Sequence, residues 1–264
     1  MSNLPPPSRL KVTNLQKSFD DLVILRNITF ELFRGGSFVI IGGSGSGKSV
    51  LLKCISGLYQ FDSGEIELDG NILATKATGK RPYSCKKLGY IFQNAALFDS
   101  LTVLENTMFG VKNILKLSKR DSEDLAFEKL SLVGINRKTG DLYPSEISTG
   151  LRKAVALART LAMGSDIILF DEPTTGLDPI MSKKINDLII KCIQTESLTA
   201  VTITHDMESA KRLGDKIAML YAGELIWTGK PSEIKNTDNA IVQQFTNGHI
   251  DGPISLMDFP ISEK

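Results

Sequence analysis

The chain is 264 residues long and carries 31 Lys and Arg against 30 Asp and Glu, a formal net charge of +1. That length builds one large α/β domain, or a core with a smaller subdomain, and the near-neutral charge argues against a nucleic-acid-binding surface. The three cysteines, Cys54, Cys85 and Cys192, lie far apart in no metal-ligand spacing, which fits a reducing compartment and argues against a zinc site. Met1-Ser2-Asn3-Leu4-Pro5-Pro6-Pro7 lacks the charged and apolar regions of a secretory leader, and no apolar run approaches the roughly 18 residues of a membrane span. A soluble chain is expected, with any membrane role at the surface or through partners.

In chain order, short apolar or alternating runs at 12–15, 28–32 and 65–68 predict strands, bounded by turns such as Arg34-Gly35-Gly36 and Asp69-Gly70. Phe38-Val39-Ile40-Ile41 is apolar and β-branched and predicts a buried strand, and 49–55 predicts a helix packed on a sheet. The basic cluster Lys80, Arg81, Lys86 and Lys87 reads as a solvated loop, and Leu88-Gly89-Tyr90-Ile91-Phe92 as another strand. From about Ala95 to Met163 the spacing turns helical, as in Leu125, Leu130, Leu132 and then Ala154, Leu157, Ala158, Leu161. This predicts a helical subdomain over 95–161, inserted into an α/β core of 1–94 and 162–240. The core resumes with a strand at 166–170, a helix near 180–195, a strand at 199–204, and a hairpin of 216–220 and 224–228 around Ala222-Gly223. Strands followed by helices imply a mainly parallel sheet covered on both faces. The end contains Gly and Pro from Phe245 onward and reads as an extension beyond the core, spanning 241–264.

Between the strand at 38–41 and the helix that follows lies Gly42-Gly43-Ser44-Gly45-Ser46-Gly47-Lys48-Ser49, which fits G-x-x-x-x-G-K-[ST] at every fixed position. Glycines let successive backbone N–H groups turn inward around an anion, and the helix N-terminus adds a positive dipole end. Lys48 supplies charge to the β- and γ-phosphates, and the Ser49 hydroxyl can ligate Mg²⁺. A flexible Gly/Ser linker would share the composition, but not the flanking strand and helix or the lysine at that offset. The octet predicts a bound nucleoside triphosphate. Downstream, the strand at 167–170 ends in Asp171-Glu172. A carboxylate at a strand tip suits Mg²⁺, which assigns the metal to Asp171 and the proton of an attacking water to Glu172.

With these residues the sequence resembles the ATP-binding subunits of ABC transporters over nearly the whole chain. The resemblance implies a RecA-like P-loop NTPase core with an antiparallel β subdomain and an inserted α-helical subdomain. Asp171-Glu172-Pro173-Thr174-Thr175-Gly176-Leu177-Asp178-Pro179 looks like the family's acid pair running into its D-loop, which places Asp178 at the nucleotide. Gln93 matches the Q-loop glutamine that senses Mg²⁺ and water, His205 the switch histidine at the γ-phosphate, and Phe19 the aromatic that stacks on adenine. The implied catalytic set is Glu172, His205, Gln93 and Lys48; the implied metal ligands are Ser49, Gln93 and Asp171; the implied cofactors are ATP and Mg²⁺. Where the family carries Leu-Ser-Gly-Gly-Gln, this chain has Ile147-Ser148-Thr149-Gly150-Leu151. The resemblance implies that Ser148 and Gly150 reach the γ-phosphate held by a second copy. Thr149 replaces a glycine, and a β-branched residue suits neither positive φ nor close approach to phosphate, so looser closure is expected.

Two segments are similar to one subgroup, the Mla/Mce type, which serves phospholipid transport between bacterial membranes. They are 92–103, Phe-Gln-Asn-Ala-Ala-Leu-Phe-Asp-Ser-Leu-Thr-Val, and the tail with Phe245, Gly248 and Asp251-Gly252-Pro253. The subgroup implies a head-to-tail dimer, a membrane permease, an MCE-domain partner, no nucleic acid, and a place on the cytoplasmic face of the bacterial inner membrane. The alternatives are an importer ATPase for a small solute such as an amino acid, ion or nucleotide, a non-transport ABC ATPase, and a nucleotide switch without turnover.

Overall fold

Apolar pairs decide the first sheet. The computed structural model describes residues 8–75 and 88–255. The expectations for 1–7, for Lys80, Arg81, Cys85, Lys86 and Lys87, and for 256–264 lie outside the described residues. The chain divides into two units, 1–84 with 199–264, and 85–198.

In the first unit, β1 (Ser8–Phe19) and β2 (Leu22–Phe33) form a hairpin, and β4 (Ser63–Leu68) and β5 (Asn71–Thr75) extend it into an antiparallel sheet of order β2-β1-β4-β5. The registers Leu10↔Leu32 and Val12↔Phe30 bring buried side chains together on one face. Gly64 sits at φ +105, and a Cβ there would lie 2.6 Å from the Asn14 carbonyl oxygen, so only glycine lets β4 close on β1. A second set of strands runs β10-β9-β3-β8: β3 (Ser37–Ile41) is parallel to β8 (Thr199–Thr204) and β9 (Lys216–Tyr221), and β10 (Glu224–Gly229) is antiparallel to β9. Every residue of β3 and β8 is buried, which explains why these strands read as unbroken apolar or β-branched runs and not as alternations. α1 (Lys48–Ile55) buries Leu51, Leu52, Cys54 and Ile55, and α7 (Met207–Leu213) packs on β3. α8 (Ala240–Asn247) buries Val242 and Gln244 and stops at Gly248, whose φ of 66 ends the helix.

In the second unit, β6 (Leu88–Ile91) and β7 (Ile167–Asp171) pair in parallel. Among the described residues five α-helices accompany them: α2 (Val103–Gly110), α3 (Lys119–Leu132), α4 (Arg137–Gly140), α5 (Thr149–Ala162) and α6 (Pro179–Thr195). α2 starts at a capping box, Thr102 with Glu105, and runs into a π-helical turn at Val111–Leu115. α5 is the buried helix of this unit, and its alanines at 154, 156, 158 and 162 let neighbours come close. A Cβ at Gly89 would lie 2.2 Å from the Thr160 methyl, so a glycine is required where β6 meets α5.

The predicted strands and the helical stretch lie where the sequence puts them, though β1 and β2 run longer. β5, α7 and α8 are absent from the sequence reading. Phe245, where the Gly- and Pro-containing end begins, lies within α8.

Candidate nucleotide site and catalytic acids

β3 delivers the chain to the phosphate loop at Gly42 and α1 receives it at Lys48. A Cβ at Gly42 would meet the Leu220 carbonyl oxygen at 2.4 Å, and Gly47 holds φ +99 with Ile24 and Leu25 side chains 3.1 Å from its missing Cβ. No other residue fits either place. Lys48 is buried and folds back on the loop, its Nζ donating to the Gly42 and Gly43 carbonyls at 2.8 Å each.

Two observations point to an anion. The Ser46 hydroxyl is buried in the loop without a hydrogen-bond partner. α1 has no side-chain cap and no acid in its first turn, whereas every other α-helix among the described residues is capped by Thr102, Ser118, Asn136, Ser148, Asp178, Asp206 or Asn239. An uncapped N-terminus keeps its N–H groups and dipole for a phosphate. Ser44 and Gly45 form the exposed rim of the loop, and Ser49 sits half-buried in the first turn of α1.

The parallel register Ile41↔Thr204 makes Gly42 and His205 the next residues off two adjacent strands. His205 is exposed, and Asp206 beside it fixes the chain by accepting from the backbone N–H of Glu208 and Ser209. Phe19 closes β1, 41 % exposed, with Tyr59 edge-on at 5.5 Å and the Lys17 ammonium 4.6 Å from its ring centre.

In the second unit the register Ile91↔Phe170 likewise sends Gln93 and Glu172 off neighbouring strand ends, with Gln93 exposed. Asp171 is buried and accepts from the Tyr90 hydroxyl at 2.7 Å. Glu172 is 8 % exposed and adopts φ 50, a left-handed conformation uncommon for any residue but glycine. Its carboxylate accepts from the Thr175 hydroxyl at 3.0 Å, and its carbonyl accepts from the Lys153 ammonium at 3.3 Å. Burial pushes Lys153 down to about 8, partly offset by the Glu172 charge. Arg159 donates to the carbonyls of Ala95 and Ala96, at 2.9 and 2.8 Å, and those alanines also hold positive φ, 62 and 46. Burial lowers the pKa of Arg159.

Ser148 caps α5 by accepting from the Leu151 N–H at 3.3 Å, and Asp178 caps α6 by accepting from the N–H groups of Ile180 and Met181. A Cβ at Gly150 would meet the Met181 methyl at 2.5 Å. Of the two grounds for looser closure at Thr149, positive φ does not apply: Thr149 is the first residue of α5, outside the left-handed positions, and its hydroxyl accepts from Arg152 at 2.9 Å. A helical first turn takes threonine without strain, so the strain argument for looser closure falls away. Tyr90, Lys153 and Arg159 are the supporting residues that the sequence reading missed. Their partners lie 81, 19 and about 64 residues away, and no local pattern announces such contacts.

The family described as ABC transporter matches residues 25–175. The chain belongs to the ABC transporter ATP-binding family. It is 36 % identical to protein TRIGALACTOSYLDIACYLGLYCEROL 3 of Arabidopsis thaliana, over 93 % of this chain and 75 % of that one. It is 34 % identical to a probable ribonucleotide transport ATP-binding protein, mkl, of Mycobacterium leprae, over 97 % of this chain and 73 % of that one. The dimeric structure of the ATP-binding cassette MJ0796 with ADP and Pi superposes with a TM-score of 0.74 at 31 % identity, covering 84 % of this chain and 98 % of that one. The fold is accordingly the ABC ATPase fold, a P-loop NTPase with mixed sheets and helices, and its chemistry is hydrolysis of ATP with Mg²⁺. The donor set suits both. Backbone N–H groups and Lys48 suit phosphate, and each unit carries oxygen side chains of the hard type that Mg²⁺ prefers, Ser49 in the first and Gln93 and Asp171 in the second. Among the described residues no helix is long and apolar enough to cross a membrane.

Proposed function

We propose that this chain is the ATP-hydrolysing subunit of an ABC transporter that moves phospholipid, working as a head-to-tail dimer beneath a membrane permease. The observations that carry the ATPase part are, in one unit, an uncapped α1 behind a glycine loop and, in the other, a buried acid pair held at a strand end. In this reading residues 1–240 are the ATP-binding domain, with 95–161 its helical subdomain and 241–264 a C-terminal extension.

The phosphate loop, from Gly42 to Ser49, grips the β- and γ-phosphates, and Phe19 packs on the adenine. Mg²⁺ supplies neutralisation of phosphate charge and would be held by Ser49, Gln93 and Asp171. Ser148 and Gly150 of one copy close the site of the other with the N-terminus of α5, and Asp178 lines the seam between copies. Glu172 takes the proton of the attacking water, while Lys48 and His205 stabilise the phosphoryl charge. Closing and reopening the dimer is the stroke passed to the permease. A groove of about 630 Å³ in the helical part, with Leu101, Leu104, Met108 and Phe109 beside the charged Glu105, Lys112, Lys119, Glu123 and Asp141, offers a permease segment a seat of mixed polarity.

A lipid cargo is supported by a relative whose name is that of a galactosylated diacylglycerol, and its narrowing to phospholipid rests on the 92–103 segment and the tail. The tail is a built element: the Gln244 amide donates to the Ile250 and Ile254 carbonyls and accepts from the Ile254 N–H at 2.6 Å. The same reading brings an MCE-domain partner and a site at the cytoplasmic face of a bacterial inner membrane. The name of the mycobacterial relative favours a second reading, a nucleotide or other small-solute importer.

Extraction of the tagged chain from membranes in mild detergent tests the assignment. A permease co-purifying with an MCE-domain protein and phospholipid is the expected result. A permease with a soluble solute-binding protein would overturn the cargo, and no membrane partner at all would overturn the transporter.

A further inference from the structure

One helix holds both loops that leave the strand ends of the second unit. Arg159 of α5 grips the carbonyls of Ala95 and Ala96, and Lys153, nearly two turns earlier, grips that of Glu172. All three gripped residues have left-handed backbones, so each cation supports a conformation that the chain alone disfavours.

Lys153 is the more telling of the two. It is 6 % exposed on a helix whose other buried residues are mostly small or apolar. A buried ammonium is unfavourable, and an apolar side chain of similar shape would serve packing equally well or better. A packing role therefore leaves the charge unexplained. Its contact is with the backbone of Glu172, while the carboxylate of Glu172 is held separately by Thr175. Backbone and side chain of the acid are thus fixed from two sides, and the lysine supplies the side that sets the direction of Cα–Cβ. The start of the same helix is the Ser148–Gly150 loop. A shift of that loop is passed to the backbone of Glu172 through α5 itself, because Ser148 caps the helix and Lys153 sits about one turn inside it.

We propose that Lys153 is a positioning residue for ATP hydrolysis, holding the left-handed backbone of Glu172 so that its carboxylate faces the attacking water. The proposal rests on the reading of Glu172 as the general base. It assigns Lys153 to turnover and not to nucleotide binding or to folding.

The test compares the full-length chain with its Lys153→Met and Glu172→Gln variants in steady-state MgATP hydrolysis, binding of a fluorescent ATP analogue, and thermal unfolding. Methionine keeps the length and apolar stem and removes the donor. The expected result is a fall in kcat of roughly tenfold to a hundredfold for Lys153→Met, the scale of a misplaced catalytic group, with nucleotide affinity within about twofold. Its Tm should hold or rise, because a buried charge has gone. A kcat close to that of the parent overturns the proposal, as does a loss matched by lost affinity or lost Tm. If Glu172→Gln hydrolyses ATP at the parent rate, the base assignment itself is wrong and the proposal goes with it. An inactive Glu172→Gln beside a fully active Lys153→Met overturns the proposal alone.

Discussion

The phosphate loop and the acid pair are built by opposite means. The loop is one contiguous octet whose groups are mostly backbone, shaped by glycines and by a helix end left uncapped. The acids are two side chains that depend on partners from elsewhere in the second unit, Tyr90 on Asp171 and Lys153 on Glu172, with Thr175 adding a local bond to Glu172. A backbone site tolerates change around it but not within it. A side-chain site is open to failure through residues that never touch the substrate.

The largest effect that would sharpen this contrast comes from Glu172→Gln. With Glu172 in its proposed role as general base, turnover should fall by about 10²- to 10⁴-fold, while ATP binding, assigned to the loop, should be unchanged. Binding lost together with turnover would show that the two sites are not separable in this way. Lys48→Ala should do the reverse and strike binding first. It removes the proposed phosphate contact and the two 2.8 Å bonds that hold the Gly42 and Gly43 carbonyls. At about 1.5–3 kcal/mol for a charge-assisted bond, affinity should fall by roughly a hundredfold, read by nucleotide titration. A variant that binds ATP within a few-fold of the parent would break the comparison.

Tyr90→Phe probes the other side with a single oxygen. Losing a 2.7 Å bond to a buried carboxylate is worth about 1.5–3 kcal/mol, some of which the remaining contacts of Asp171 absorb. The Mg²⁺ concentration giving half-maximal hydrolysis should rise by about tenfold, with Mg²⁺-free nucleotide binding unmoved. An unchanged Mg²⁺ dependence would mean that Tyr90 only fills space.

The same contrast explains what the sequence made legible. β3, β7 and β8 are buried throughout, so their apolar runs stand out, and the loop between β3 and α1 is a fixed spacing of glycines and a lysine. Asp171 and Glu172 were visible because they end such a run. Their supports were not, since a tyrosine in a strand and a lysine in a helix read as ordinary surface or core choices until the fold brings them over. β5 and α7 were missed for another reason: five residues at a sheet edge and seven in a polar string give too little period to detect. At Thr149 the exchange of the family glycine carries no backbone strain, because the position is the first residue of a helix.

The smallest effect belongs to the tail, which carries a side-chain network into the unit of the backbone site. Gln244 is 6 % exposed and bonds three backbone groups of Ile250 and Ile254. With Phe245, Ile254 also lines a cavity of about 270 Å³ that Gly43, Gly45 and Ser46 border. Gln244→Ala leaves those backbone groups to water, at a cost of about 1–3 kcal/mol felt locally. Hydrogen exchange at the amide of Ile254 should become fast, while that of the strand β3 amides stays slow. ATP affinity should shift by no more than about threefold, because the loop's shape comes from its own glycines and from Lys48. A large loss of affinity would show that the tail shapes the phosphate loop, and the backbone site would then depend on distant side chains as much as the acids do.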